Sequence, residues 1–433
     1  MSELRTPTFF IKTFGCQMNM DDSVELARLL RGFGLSEAPA ADEADLIHIN
    51  TCSVRKKAEE KFFSFLGIQS IRKRKTGAPV IGVGGCTAEL IDIAVGHPEV
   101  DYVIGSRRPA DYADRIRATV AARFPELTEI RESFHAAPPE GPVSSFQTVI
   151  RGCTNFCTYC VVPRARGAEA SVPPEVAARE AEVRIAEGAR EIILLGQDVL
   201  AYGEDLNPRL HLLDVLRAVH NLPGLRRLRF VTSHPRRINE DFLRGLAELP
   251  KVCEHFHIPF QSGDDEVLKQ MNRGYTRADY IDKIRLIREY FPDASITADV
   301  IVGFPGETEA QFENTVRLVE EIQPDQLYTF KYSTRPGTRA AEWEDDVPRA
   351  EKEARLARLI DLENVISRAA NRSLIGTEQE VMVNHRVNGA RFRGRTRSNK
   401  ITDFKSDREL ELGEIVTVKI SGATPHALQG ERL

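Results

Sequence analysis

Residues 151–160 read Arg151-Gly152-Cys153-Thr154-Asn155-Phe156-Cys157-Thr158-Tyr159-Cys160, with three cysteines crowded onto one short loop after the strand-like run Gln147 to Arg151. That spacing points to an iron–sulfur ligand set. A [4Fe–4S] cube normally takes four cysteines, so a local set of three leaves one iron open to an outside ligand. An open iron is a place for chemistry. The competing reading is structural zinc, which calls for four ligands and usually a second Cys-x-x-Cys pair. No second pair is present.

Upstream, three more cysteines each follow an apolar, strand-like run. Phe9 to Phe14 ends in Gly15-Cys16, Leu46 to Asn50 in Thr51-Cys52, and Val80 to Gly85 in Cys86. Helix-like stretches follow, such as Ser23 to Phe33 and Val54 to Lys73, as in repeated βαβ units. Ligands of a doubly wound sheet collect at the carboxyl ends of its strands, so Cys16, Cys52 and Cys86 would converge there as a second three-thiolate site. The alternative is that they are small buried hydrophobes, as unliganded cysteine often is.

Downstream of a Pro/Gly-rich connector at 124–146, the βα period resumes. Strand-like runs begin at Gln147, Glu191, Leu228, His255, Ser295 and Gln326, six units that suggest a parallel barrel or part of one. Its working face lies at the strand carboxyl ends, where Gln197, Ser233, Gln261, Asp299 and Val302 are the candidate cofactor-pocket residues. A charged helix from about Arg349 to Ala370 leads out of it. The last 60 or so residues change to short alternating runs, as in a small β-barrel. Within them Arg386, Arg391, Arg393, Arg395, Arg397, Lys400 and Lys405 face only Asp403, a basic strip in a chain of net charge −5. Such a strip suggests a polyanion partner, with Arg391, Arg393, Arg395, Arg397 and Lys400 as nucleic-acid contacts, while Phe392 and Phe404 read equally as stacking platforms for bases or as core residues. A solvated edge that protects exposed strands is the blander reading.

The chain has 433 residues, of which 42% are hydrophobic and 28% charged, enough for two or three globular domains. No apolar run approaches the roughly 18 residues of a membrane span, and no charged-then-apolar leader opens the sequence. Seven cysteines, an odd number, fit reduced metal ligands better than disulfides. A cytosolic protein with no membrane association is therefore expected.

In order and spacing, these motifs resemble the methylthiotransferases of the radical S-adenosylmethionine (SAM) superfamily over nearly the whole chain. The carriers are Thr13 to Asn19, Asn50 to Arg55, Gly84 to Cys86, the 153/157/160 cysteines, Leu194 to Gln197, Thr232 to Pro235, His257 to Gly263, Ile301 to Thr308 and Gly394 to Lys400. The resemblance implies an α/β protein with a flavodoxin-like βα domain at 7–123, a linker at 124–146, a partial (βα)6 radical SAM barrel at 147–371 and a C-terminal β-barrel of the TRAM type at 372–433. It implies that Cys153, Cys157 and Cys160 hold the [4Fe–4S] cluster that cleaves SAM, and that Cys16, Cys52 and Cys86 hold an auxiliary [4Fe–4S] cluster concerned with sulfur. Cys253 matches no ligand position. The implied reaction is methylthiolation of C2 of N6-(dimethylallyl)adenosine at position 37 of a tRNA anticodon loop, a carbon inert to acid–base chemistry and so requiring a cofactor-borne radical route. An electron donor such as flavodoxin or ferredoxin and a monomeric state are also expected. Ser53-Val54-Arg55 resembles the branch acting on isopentenylated adenosine. Relatives acting on threonylcarbamoyl-adenosine or ribosomal protein S12 usually differ there, and a non-catalytic iron–sulfur RNA-binding protein is a remoter alternative. Arg164, Ala165, Ala168, Val172, Asp198 and Leu200 depart from what relatives usually carry.

Overall fold

The computed structural model of the protein describes residues 5–53, 56–127 and 142–433. Most of the expected 124–146 connector, and Val54 and Arg55 beside Cys52, lie outside the described residues. The chain divides into two compact units. The first holds the N-terminal residues with Arg151–Thr154 and Cys160–Glu169, and the second holds Asn155–Tyr159 with nearly all the remainder.

In the first unit, β1 (Thr8–Thr13), β2 (Ser36–Glu37), β3 (Leu46–Thr51), β4 (Val80–Gly85) and β5 (Tyr102–Val103) form one parallel sheet in the order β2-β1-β3-β4-β5. This is the flavodoxin-like order, whose ligand crevice opens at the carboxyl ends of β1 and β3. β3 and β4 are buried along their whole length, as parallel strands covered on both faces must be. Phe9, Leu26, Leu30 and Ile116 form one hydrophobic cluster, and Ile47, Ile49, Phe62, Leu66 and Val83 another. The first helix is Gln17–Gly32, beginning at Gln17 rather than Ser23. Its early start is fixed by Asn19, whose carboxamide oxygen accepts from the Cys16 backbone N–H at 3.3 Å and so closes the first turn.

In the second unit, β6 (Ser144–Thr148) is followed by the short β7 (Ile150–Arg151) and β8 (Ala170–Ser171) on either side of the cysteine loop. β9 (Glu191–Leu195), β10 (Arg227–Val231), β11 (His255–His257), β12 (Ser295–Val302) and β13 (Gln326–Lys331) complete the set. β6, β9 and β10 make one parallel sheet and β11, β12 and β13 another. Backbone bonds from Ser233 N–H to the His257 carbonyl at 3.0 Å and from Cys253 N–H to the Leu228 carbonyl at 2.9 Å join them between β10 and β11. The six strands thus form the expected partial barrel, cored by Ile192, Leu194, Phe230, Phe256, Ala298 and Val300.

The last strands, β14 (Glu378–Asn388), β15 (Arg391–Thr396), β16 (Ile401–Lys405), β17 (Ile415–Ala423) and β18 (Leu428–Arg432), close into a small barrel in the order β14-β15-β16-β18-β17. Phe392 and Phe404 are 1% and 3% exposed and lie stacked on each other, ring centroids 6.0 Å apart. They are core residues and not base-stacking platforms. The two-residue period of a strand puts them on the inner face while Arg391, Arg393 and Lys405 point out. Two buried arginines of β10 hold this barrel in place. Arg227 donates to the carbonyls of Arg395 (2.6 Å) and Glu380 (3.1 Å), and Arg229 to those of Arg397 (2.6 Å) and Thr396 (2.9 Å). Among the described residues, no helix is long and apolar enough to cross a membrane.

Candidate functional site

The N-terminal cysteines stand just beyond the ends of three adjacent strands, Cys16 three residues past β1 and Cys52 and Cys86 one residue past β3 and β4. Thr51 pairs with Gly85 across β3 and β4, so Cys52 and Cys86 follow directly from paired residues. Thr13 pairs with Asn50, which brings Cys16 to the same end of the sheet within a residue or two. Adjacent strands are about 4.8 Å apart, so the backbone presents all three thiols along one edge of the crevice. Asn19, wholly buried, ties this edge together. Its amide nitrogen donates to the Asn50 side chain at 2.9 Å and to the Thr51 carbonyl at 3.0 Å, while its oxygen accepts from Cys16 Sγ at 3.2 Å. Gly85 has φ of +95°, and a Cβ there would come within 2.3 Å of the Thr51 carbonyl oxygen, so only glycine allows β3 and β4 to deliver their cysteines this closely.

Burial pushes the Cys86 thiol up, while Arg166 beside it acts in the opposite direction. The hydroxyls of Thr51, Ser53 and Thr87 are buried and lack hydrogen-bond partners. Buried polar atoms are almost always bonded, so a group of orphans flanking the cysteines suits a ligand bearing hydrogen-bonding atoms. Among the described residues, no three His, Cys, Asp or Glu side chains are gathered closely enough to hold an ion as they stand. The fit of a cluster is therefore carried by strand register and by these orphaned groups.

The 153/157/160 loop is positioned from several directions. In the first unit, Cys153 N–H donates to the Gly167 carbonyl at 3.0 Å, and Glu169 accepts from Thr154 N–H at 2.7 Å. In the second unit, Thr158 N–H donates to the Met271 carbonyl (3.1 Å), Ala340 N–H to the Thr158 carbonyl (2.8 Å), and Asn272 to the Phe156 carbonyl (3.0 Å). Tyr159 meets Phe304 edge to face. Arg273 is the residue sequence reasoning missed. It is 6% exposed, and its Nη1 donates to Cys157 Sγ at 3.3 Å, with further bonds to Tyr275 Oη and the Pro259 carbonyl. A cation aimed at sulfur stabilises a thiolate, the form that binds metal. Arg273 follows Met271-Asn272 outside any cysteine motif, so nothing local in the sequence signals it.

The pocket candidates fall near the expected strand ends but differ in character. Ser233 is 1% exposed with an unbonded hydroxyl, immediately beyond Thr232 at φ +71°. Gln261 also has φ of +71° and is bonded through its backbone to Asp299 and Ile301. Side chains other than glycine rarely adopt this conformation, and such residues cluster at ligand sites. Asp299 stands 3.6 Å from His257 Nε2. Gln197 lies two residues past β9 and is half-buried, while Val302 is wholly buried in the barrel core.

Several departures from the usual motifs have structural explanations. Asp198, 2% exposed, accepts from Asn155 (3.1 Å), the His234 N–H (3.1 Å) and Arg237 Nε (2.9 Å), linking the cysteine loop to the β10 end. Val172 is packed into the barrel core with its N–H on the Val149 carbonyl. Leu200 packs against the same core. Ala165 is buried, and its carbonyl accepts from the Ser106 hydroxyl. Nothing in the structure explains Arg164. Cys253 is buried beside Arg229, and burial pushes its thiol up.

Most of the basic strip is engaged within the protein. Arg397 pairs with Glu254 (2.9 Å to Oε2), Lys400 with Asp325, Arg393 with both oxygens of Asp403 (2.6 and 2.9 Å), and Arg395 with Asn399. Arg397 and Lys400 dock the small barrel onto the larger one. Arg391 and Lys405 are different. They are cross-strand partners, both exposed, and neither makes an ion pair with a described residue.

Three family models match the chain: an uncharacterized protein family, UPF0004, over residues 8–105, the radical SAM superfamily over 148–319, and the TRAM domain over 372–433. Proteins named tRNA-2-methylthio-N(6)-dimethylallyladenosine synthase, from two strains of Clostridium botulinum, are 39% identical over 437 residues, covering 98% of this chain and 97% of theirs. The chain belongs to this family. Radical SAM methylthiotransferases are the setting in which the two cysteine sets are to be understood, and the superfamily brings with it SAM and a [4Fe–4S] cluster. Among solved structures, the radical SAM methyltransferase TsrM from Kitasatospora setae is similar in fold, with a TM-score of 0.56 at 15% identity over 78% of this chain and 77% of that one. The cobalamin-dependent radical SAM enzyme OxsB gives 0.52 at 11% identity, over 81% of this chain and 56% of that one.

Proposed function

We propose that this protein methylthiolates C2 of N6-(dimethylallyl)adenosine at position 37 of tRNA, using two [4Fe–4S] clusters, one held by Cys153, Cys157 and Cys160 and one by Cys16, Cys52 and Cys86. The observation that carries the two-cluster reading is the strand register that sets Cys16, Cys52 and Cys86 at one end of three adjacent parallel strands. The clusters would supply reductive cleavage of SAM at the first set and a sulfur-bearing iron at the second.

The chain's own residues prepare these sites. Arg273 donates to the Cys157 sulfur and would orient it toward a metal group, and bonds from Thr158 and Asn272 fix the path of the loop. Ser233, next to the strained Thr232, and Gln261, itself at positive φ, are the groups proposed to bind and orient SAM. Asn19 and Gly85 hold the β1, β3 and β4 ends together, so that a metal group bound there would draw the three thiols in from one edge of the sheet. Arg391 and Lys405, two like charges side by side, are proposed to meet tRNA phosphates, which position the nucleic acid without reading its sequence. The target base is unpaired and splayed into the barrel mouth. We propose further that the protein is a cytosolic monomer reduced by a flavodoxin or ferredoxin.

Anaerobically reconstituted protein should carry about eight irons per chain, as two cubes require. Replacing Cys153, Cys157 and Cys160 with Ala should halve the iron and abolish SAM cleavage. Replacing Cys16, Cys52 and Cys86 should also halve it, yet leave SAM cleavage and remove methylthiolated product. Four irons in fully loaded wild type, or product from the second variant, would defeat the two-cluster reading.

A further inference from the structure

Arg166 ends the short helix Val162–Arg166, which packs on helix Cys86–Leu90 of the same unit. The Ser106 hydroxyl fixes that helix by donating to the Ala165 carbonyl. As a result the Arg166 side chain is 2% exposed, with its charge acting on Cys86, Asp22 and Cys16. Nη2 stands 3.8 Å from Asp22, too far for a hydrogen bond, because Asp22 is already taken by Arg151. Of the other carboxylates nearby, Glu25 faces Arg108 at 3.4 Å and the buried Asp21 adjoins Asp22. Nη1 and Nη2 of Arg166 are buried with no oxygen or nitrogen acceptor, only the Cys86 thiol interacting with the guanidinium, and Nη1 of Arg151 is likewise without a partner.

A buried guanidinium with two donors that lack an oxygen or nitrogen acceptor is costly, of the order of 1–3 kcal/mol for each unmade bond and more for a charged group. The helix that carries it nevertheless holds it there. Its planar fork suits a compact anion that presents more than one acceptor direction. The only chemistry assigned to the neighbouring residues is that of thiolates and what they bind, and the orphaned Thr51, Ser53 and Thr87 hydroxyls flank the same cysteines.

We propose that Arg166 is a positioning residue that donates through its fork to anionic sulfur at the Cys16/Cys52/Cys86 site. That sulfur has two possible sources, the cluster's own sulfides or an exogenous hydrosulfide or methanethiolate on the open iron. The inference rests on the two-cluster reading above. Hydrogen bonds from surrounding groups to cluster sulfur tune its potential, and a cation favours binding of a thiolate.

The test uses full-length protein with Cys153, Cys157 and Cys160 changed to Ala, so that only the N-terminal site can load. Its reduction potential is followed by EPR, and sodium methanethiolate is titrated in, with and without Arg166→Gln. Donation to the cluster sulfides predicts a fall in potential of about 59 mV or more, a tenfold change for a one-electron couple. Donation to exogenous sulfur predicts methanethiolate affinity weakened tenfold or more at unchanged potential. Neither change in fully loaded Arg166→Gln would overturn the inference while leaving the two-cluster reading intact. A parent that takes up no iron would overturn both. If Arg166→Gln fails to load, Arg166→Lys is read in its place. It keeps the charge but not the fork, so a threefold or larger weakening, or a lowered potential, supports the proposal, and wild-type values for both refute it.

Discussion

Replacing Arg229 with Met removes the cation of a fully enclosed ion pair in the second unit. Arg229 Nε donates to Glu191 at 2.7 Å, and each side chain is 2% exposed. Its other nitrogens bond the carbonyls of Arg397 and Thr396 and so hold the small barrel. After the change Glu191 keeps only the Ser144 hydroxyl, at 2.7 Å. Breaking one side of a buried pair typically costs about 3–5 kcal/mol, because the remaining charge is left without compensation. Removing both charges should cost far less, so the double variant Arg229→Met/Glu191→Gln is expected to recover about half or more of the loss. The chain's single tryptophan, Trp343, lies in this unit against Phe304 and reports its unfolding in an anaerobic urea titration. Burial pushes the Glu191 carboxyl up, but Arg229 and Ser144 outweigh it and hold it below the ordinary range. The wild-type advantage is therefore present above about pH 4.5 and should shrink as pH falls, while the variant's stranded carboxyl is relieved by protonation. A loss under about 1 kcal/mol at pH 7, or a double variant as unstable as the single one, would refute this account of the docking.

Glu307 carries the other pH signature. Its carboxyl is held up at about 7 by burial, since the charge of Arg355 is shared with Glu309 and Glu351 and the Glu307 Oε1 has no partner. Such a group contributes no penalty below the unfolded value near 4.5 and must ionise in place as pH rises through 7. Glu307→Gln should therefore gain stability relative to wild type between pH 5 and pH 8, and a difference independent of pH would count against that reading. At the basic strip, Arg391→Ser with Lys405→Ser should flatten the salt dependence of tRNA binding by roughly 0.7–0.9 in log–log slope for each phosphate no longer neutralised. SAM cleavage without tRNA should be unchanged, and an unaltered slope would leave these residues as a solvated edge.

Much of this architecture was legible in the sequence, because hydrophobic period and cysteine placement report the same thing. Apolar runs ending in Cys16, Cys52 and Cys86 could be read as strands, and the observed β2-β1-β3-β4-β5 order places those ends side by side. Interactions between residues distant along the chain were not legible. The approach of Arg273 to Cys157, 116 residues away, leaves no local pattern. The basic strip misled in the opposite way. A count of charges cannot tell a cation that faces solvent from one paired across a barrel-to-barrel junction, as Arg397 is with Glu254 and Lys400 with Asp325. Phe392 and Phe404 were ambiguous for a related reason, since alternation fixes opposite faces of a strand but not which face is inside until the barrel closes.

The most direct test of the central claim is nucleoside mass spectrometry of tRNA bearing N6-(dimethylallyl)adenosine, incubated anaerobically with the reconstituted protein, SAM and a low-potential reductant. The account predicts conversion of that nucleoside to its 2-methylthio derivative, dependent on SAM and on both cysteine sets. Unchanged nucleoside from protein loaded with both clusters would contradict it.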